Sequence, residues 1–327
     1  MTVPIAFDEV AGWGDEVWDR DVTGVAVDSD DRVYALRRGD DAVTVLDGSG
    51  TVLDRWGDPL LSERPHLISI DASGRVYIAD DGGHQVLVFD RSGRRLEVIG
   101  RGIPARTGFY DTTYTSAEDA FENMHGGPPF NRPTKAVATP DGELFVSDGY
   151  RNCRVHRFSS SRRLVASWGG SGAAPGSFVI PHGITVDHRG RLLVCDREND
   201  RIQVFSREGE LLGVMNDVQR PTDAAVDGHG NVYVTELARG PLDIKSWRLG
   251  KAEHELPGRV TMWTAEHRLA GRIGPPEAGF LAPHAVAVDS AGAVYVAEVP
   301  QSFADSTGRD HRPHRCLHKF VPRATPV

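Results

Sequence analysis

Short apolar runs bounded by turn residues recur along the whole chain, and no long segment shows helical periodicity. One run has a fixed formula: Pro65-His66-Leu67-Ile68-Ser69-Ile70-Asp71 returns as Pro181-His182-Gly183-Ile184-Thr185-Val186-Asp187 and Pro283-His284-Ala285-Val286-Ala287-Val288-Asp289. Three related segments carry threonine in place of the imidazole: Val22-Thr23, Pro133-Thr134 and Pro221-Thr222. A turn such as Asp71-Ala72-Ser73-Gly74-Arg75 follows, then a second β-rich run ending in an acidic or polar residue, as in Val76-Tyr77-Ile78-Ala79-Asp80 or Leu192-Leu193-Val194-Cys195-Asp196. These pairs read as hairpins. Third runs follow at residues 43–47, 85–90, 154–158 and 201–205, and less clearly at 245–248 and 317–321; fourth runs often end in Trp-Gly or an equivalent. Four short strands in each of six units predict an all-β repeat protein, a six-bladed β-propeller in one domain over residues 1–327. Radial closure leaves only short, protected sheet edges. Two long insertions are expected, at about 101–132 and 238–280. The first carries Phe109, Tyr110, Tyr114, Phe121, His125 and Phe130, and connections of that length inside a compact domain are often functional lids.

The phase of the formula matters more than its composition. In chain order the position after the first apolar or proline residue reads Thr23, His66, Thr134, His182, Thr222, His284. In a propeller the first strand of each blade lines the central channel, so histidines from the second, fourth and sixth blades would form a triangle at one mouth. Three imidazoles converging on one point match a catalytic zinc site, which keeps its fourth position open for water or substrate. Imidazole-only sites favour zinc, with manganese, iron or cobalt as alternatives. The competing reading is three separate hydrogen-bonded core histidines.

The ends of the second strands share that mouth. They carry Arg37 and Arg38, Asp148-Gly149-Tyr150, and Asp196-Arg197-Glu198-Asn199. Cations nearby favour a phenolate, which makes Tyr150 a candidate general base, and arginines there suit a substrate with a carboxylate. The alternative is a solvated surface role, common for Arg and Tyr at loop tips. Asp80, Asp148 and Asp196 stand at equivalent phases and are expected to bind backbone amides between blades. His84 and His125 could orient substrate, whereas His311, His314 and His318 are expected at the surface.

A net charge of −9 argues against nucleic acid or anionic membrane as partners. Residues 1–13 show no basic region followed by an apolar stretch, and no run reaches the length of a membrane span, so a soluble cytoplasmic protein is expected. Cys153, Cys195 and Cys316 are too scattered for a disulfide framework and are read as buried or half-buried thiols.

Over residues 22–320 the chain resembles peptidyl-α-hydroxyglycine α-amidating lyase, an NHL-repeat propeller. The resemblance rests on Pro181-His182, Val146-Ser147-Asp148-Gly149-Tyr150-Arg151-Asn152, Asp196-Arg197-Glu198-Asn199-Asp200-Arg201-Ile202-Gln203 and Arg38-Gly39-Asp40. It implies six blades, zinc on His66, His182 and His284, Tyr150 as catalytic tyrosine, and Arg38 and Arg197 as active-site arginines. It implies cleavage of the C–N bond of a small or peptidyl α-hydroxyglycine, giving an amide and glyoxylate. The family's structural calcium takes two carbonyls matching Val25 and Ile68 plus an aspartate after the third histidine; here Ala285 stands there, so one ligand is missing. The alternatives are a different metal-assisted lyase or hydrolase of secondary metabolism using the same histidines, and a non-catalytic NHL interaction module.

Overall fold

A computed structural model describes residues 6–14, 20–100, 102, 105, 130–241, 243, 246, 248–274, 280–308 and 315–323. Six four-stranded antiparallel sheets form the blades of a propeller. Blade one is β2 (Val22–Val27), β3 (Val33–Arg37), β4 (Val43–Leu46) and β5 (Val52–Trp56); blade two is β6 (Pro65–Ile70), β7 (Val76–Asp80), β8 (Gln85–Phe89) and β9 (Arg95–Gly100). Blade three is β10 (Lys135–Ala138), β11 (Leu144–Asp148), β12 (Arg154–Phe158) and β13 (Leu164–Gly169). Blade four is β14 (Pro181–Val186), β15 (Leu192–Asp196), β16 (Arg201–Phe205) and β17 (Leu211–Met215). Blade five is β18 (Pro221–Val226), β19 (Val232–Glu236), β20 (Arg259–Trp263) and β21 (Leu269–Ile273).

Blade six joins the two ends of the chain. It takes β22 (Pro283–Val288), β23 (Val294–Glu298) and β24 (Leu317–Pro322), and its outer strand is the N-terminal β1 (Phe7–Glu9), with Asp8 opposite Val321. A helix, α1 (Pro300–Thr307), sits in the connection between β23 and β24. Among the described residues, no helix is long and apolar enough to cross a membrane.

Burial explains the strand patterns. Second strands such as β15 are buried at every residue because blades cover both their faces, and they read as continuous apolar runs. Fourth strands such as β17 alternate, with one face in water. Six apolar clusters lie between neighbouring blades; one unites Val22, Val25 and Leu46 of blade one with Ala285, Tyr295 and Leu317 of blade six. Cohesion is therefore shared among nearest-neighbour interfaces. At the end of the blade away from the histidines, Asp28, Asp71, Asp227 and Asp289 accept turn amides with Oδ1 and the hydroxyls of Tyr34, Tyr77, Tyr233 and Tyr295 with Oδ2.

Two expectations need correction. The third strand of blade five is Arg259–Trp263, not residues 245–248, so residues 238–280 are not all insertion but hold β20 and β21. His318 is buried between β23 and β1 rather than at the surface; its Nδ1 is 2.9 Å from Glu9 and its Nε2 3.3 Å from Glu298. Phe109, Tyr110, Tyr114, Phe121, His125, His311 and His314 lie outside the described residues. All three cysteines are buried, and none is in a disulfide.

Candidate functional site

The inner strands carry a local irregularity where the formula places its key residue. Pairing shifts register between Pro65 and Leu67, Pro181 and Ile184, and Pro283 and Ala285, so each histidine sits in a bulge. A bulge breaks the strict alternation of the pleat and can re-aim one side chain. His66, His182 and His284 are all buried and turn toward one another, with ring centroids 4.6 to 4.8 Å apart.

Hydrogen bonds fix which nitrogen faces the centre. The Nδ1 of His66 meets the carbonyl of Thr134 at 2.8 Å, that of His182 meets Thr222 at 2.7 Å, and that of His284 meets Thr23 at 2.7 Å. A carbonyl only accepts, so each Nδ1 carries the proton and each Nε2 keeps its lone pair. Threonine continues the chain of contacts: the Thr134 hydroxyl donates to the Pro181 carbonyl at 3.0 Å and that of Thr222 to Pro283 at 2.9 Å. Each histidine is thus tied to the next blade's threonine, and these two threonines to the proline preceding the next histidine. Burial pushes His66 down to about 3, with Arg38, Arg64 and Arg197 adding to the effect, and it holds His182 and His284 well below the usual imidazole range. Neutral rings are the ligating form. The three ligand nitrogens lie within 4.8 Å of one another, so the group could hold a metal ion.

The acids at the ends of the second strands fix the approach to this ring. Asp80 accepts the Ser62 amide, Asp148 that of Asn131, Asp196 that of Val179, Glu236 that of Gln219 and Glu298 that of Ala282. These amides lie in the segment leading into the first strand of the same blade, not on a neighbouring blade. The carboxylates therefore hold the chain just before each Pro-His or Pro-Thr pair.

Tyr150 stands directly over the histidines, its hydroxyl 3.0 Å from Nε2 of His66 and 3.3 Å from Nε2 of His182. Arg197 lies over the Tyr150 ring, 5.5 Å from its centroid, and points Nη1 at the hydroxyl from 3.5 Å. Its Nε donates to Glu198 at 2.8 Å. Burial works against the Glu198 carboxylate, but Arg220 and Arg197 outweigh it and hold the group near 2. Arg38 donates to the Ser302 hydroxyl of α1 at 2.7 Å, and Asp21 anchors that helix by accepting the amides of Gln301 and Ser302. The Arg38 Nε is buried with no hydrogen-bond partner among the described residues. His84 accepts the Arg132 amide at 3.2 Å and lies in the β7–β8 turn.

Sequence reasoning passed over Arg64, which pairs with the buried Asp81 at 3.1 Å beside His66. Its signal was its place before Pro65, shared by Arg132 before Pro133 and Arg220 before Pro221. At the calcium position, Ala285 packs in the core between blades six and one. The next residue after Thr222, Asp223, is paired across the channel with Lys135 at 2.5 Å.

The NHL repeat family matches residues 130–158 and 178–205. The rat peptidylglycine alpha-amidating monooxygenase is 45% identical over 85 residues, covering 24% of this chain and 9% of that protein. Peptidyl-alpha-hydroxyglycine alpha-amidating lyase 1 of Drosophila melanogaster is 31% identical over 222 residues, 63% of this chain and 38% of that protein. The chain thus matches less than two thirds of either relative's length. Among solved structures, virginiamycin B lyase from Staphylococcus aureus superposes with a TM-score of 0.60 at 13% identity, over 97% of this chain and 99% of that one, which speaks for the fold alone. The NHL-repeat matches fall in blades three and four, and over 63% of its length the chain is similar to a protein named as a peptidyl-alpha-hydroxyglycine alpha-amidating lyase.

Proposed function

We propose that the protein is a zinc-dependent lyase that breaks the C–N bond of an α-hydroxyglycine-like substrate, releasing an amide and glyoxylate. The observation that carries this reading is the set of three buried imidazoles with Nδ1 committed to carbonyls, beneath the Tyr150 hydroxyl. Relatives named for amidating-lyase activity support the reaction class. His66, His182 and His284 would hold the ion, and bound zinc would supply Lewis-acid polarisation of the substrate's α-hydroxyl.

The rest of the chemistry falls to the chain's own groups. Tyr150 would take the proton of the α-hydroxyl; the oxygen's electron pair becomes the aldehyde carbonyl, the C–N bond breaks, and a proton returns to the leaving amide nitrogen. Arg197 keeps a donor at the tyrosine oxygen throughout. The carboxylate that ends as glyoxylate would lie against Arg38, whose buried Nε is a donor in need of an acceptor, and against Arg197. Burial around the histidines excludes the water that would compete for these contacts.

The direct test is glyoxylate release from a simple N-acyl-α-hydroxyglycine by zinc-loaded protein and by protein stripped with chelator. Zinc-dependent release supports the reading. Bound zinc without glyoxylate would turn the assignment toward another α-hydroxy substrate, and no zinc at all would remove it.

A further inference from the structure

Arginines flank the histidine mouth beyond the two that the carboxylate of an α-hydroxyglycine would occupy. Arg64, Arg132 and Arg220 each directly precede the proline that opens an inner strand, in blades two, three and five. Arg220 is buried and doubly engaged, with Glu198 at 3.2 Å and Asp243 at 2.9 Å. Arg64 differs. Its side chain is 45% exposed and shares the fully buried Asp81 with Arg132, whose Nε stands 3.8 Å away, so two cations meet one carboxylate. Asp81 takes only one edge of the Arg64 fork, Nε at 3.4 Å and Nη2 at 3.1 Å. Among the described residues, no protein group takes Nη1. Arg64 stands two residues before His66, at the entry to β6 and so at the mouth that the three imidazoles share.

We propose that Arg64 is a specificity-determining residue that receives a second carboxylate of the substrate, so that the preferred substrate is an α-hydroxyglycine whose acyl part is itself acidic. The assignment rests on the lyase reading for the first carboxylate, which Arg38 and Arg197 hold. Asp81 orients the guanidinium from one side and leaves the Nη1 edge for an incoming anion, the geometry in which arginine and carboxylate bind as paired forks. Arg132, on the same aspartate, keeps Asp81 from neutralising both cations.

The test compares two substrates of similar length, N-succinyl-α-hydroxyglycine and N-butanoyl-α-hydroxyglycine, together with calorimetric binding of their unreactive counterparts, N-succinylglycine and N-butanoylglycine, to zinc-loaded protein. The expected result is a preference for the succinyl compound of about 10- to 100-fold in kcat/KM and in affinity, the range of one charge-assisted hydrogen-bonded pair. In Arg64→Gln that ratio should collapse toward one, and Arg64→Lys should restore part of it. Equal handling of the two ligands by the wild-type protein overturns the proposal, as does an Arg64→Gln variant that binds correctly folded metal-site ligands with the ratio unchanged. If neither substrate yields glyoxylate while N-succinylglycine still binds more tightly through Arg64, the lyase reading falls and the anion site stands.

Discussion

Even and odd blades use the same device for different ends. In blades two, four and six the bulged position carries histidine; in blades one and five the same register shift carries threonine, and in blade three Thr134 stands just ahead of the strand. The histidines tie neighbouring blades together through Nδ1, and Thr134 and Thr222 do so through their hydroxyls, whereas the Thr23 hydroxyl donates to Leu36 of its own blade. Only the imidazole has a second nitrogen to spare. Alternation thus cuts a threefold site out of a sixfold scaffold.

The sharpest way to break this comparison is to remove one imidazole. His182→Ala should lose bound metal and cut glyoxylate release by roughly 10³-fold, the value of a few kcal/mol of Lewis-acid stabilisation. Circular dichroism should remain that of the wild type, because cohesion lies in six separate inter-blade clusters. Metal analysis and the glyoxylate assay check it, and retention of a full equivalent of metal would show that the three rings do not act together. Tyr150→Phe separates the ring from the group above it. Metal content should be unchanged while kcat falls by about 10²- to 10⁴-fold, the usual range for a proton-transfer group.

A change in an odd blade should be milder. Thr222→Val keeps the carbonyl that fixes His182 but removes the hydroxyl that donates to Pro283, the residue before His284. A stability loss of about 1 kcal/mol, read as a lower Tm, should accompany it. Zinc affinity should fall by about tenfold, as happens when a partner behind a ligand is lost, measured by competition with a chelator.

The ease with which sequence reached this site follows from how local its determinants are. A proline, an imidazole and an alternating apolar run are contiguous, so three copies at one phase predicted a shared location before any packing was known. Strand ends put Tyr150, Arg197 and the pair Arg37 and Arg38 at the same mouth, and the resemblance to the amidating lyases singled out Arg38 and Arg197 among them. Determinants that join distant segments stayed hidden. The Arg38 partner Ser302 is 264 positions away, on a helix of only eight residues with Pro300 at its start. Outer strands β20 and β21 come after a long connection, and residues 245–248 imitated a strand nearer the hairpin. The closing strand Phe7–Glu9 is three residues long, too short to show a period.

That closing strand sets blade six apart from the other two histidine blades, and it sets the smallest predicted effect. Blade six depends on His318, which sits between Glu298 of β23 and Glu9 of β1. Burial disfavours the imidazolium there, but hydrogen bonds to Glu298 and Glu9 outweigh it and raise the group to about 9. The unfolded chain titrates near 6.5, so the folded form binds the proton more tightly. The stability this contributes is complete below about pH 6.5 and is lost as pH rises through about 9. Amide exchange at Phe7–Glu9 and Leu317–Pro322 should therefore speed up between pH 7 and 9.5, after correction for intrinsic exchange, while the inner strands of blades two and four keep their protection. In His318→Gln the same strands should exchange faster at neutral pH, with most of the extra pH dependence gone. Exchange that rises equally in every blade, or in the variant as much as in the wild type, would mean that the junction is held by its apolar contacts and not by this charge.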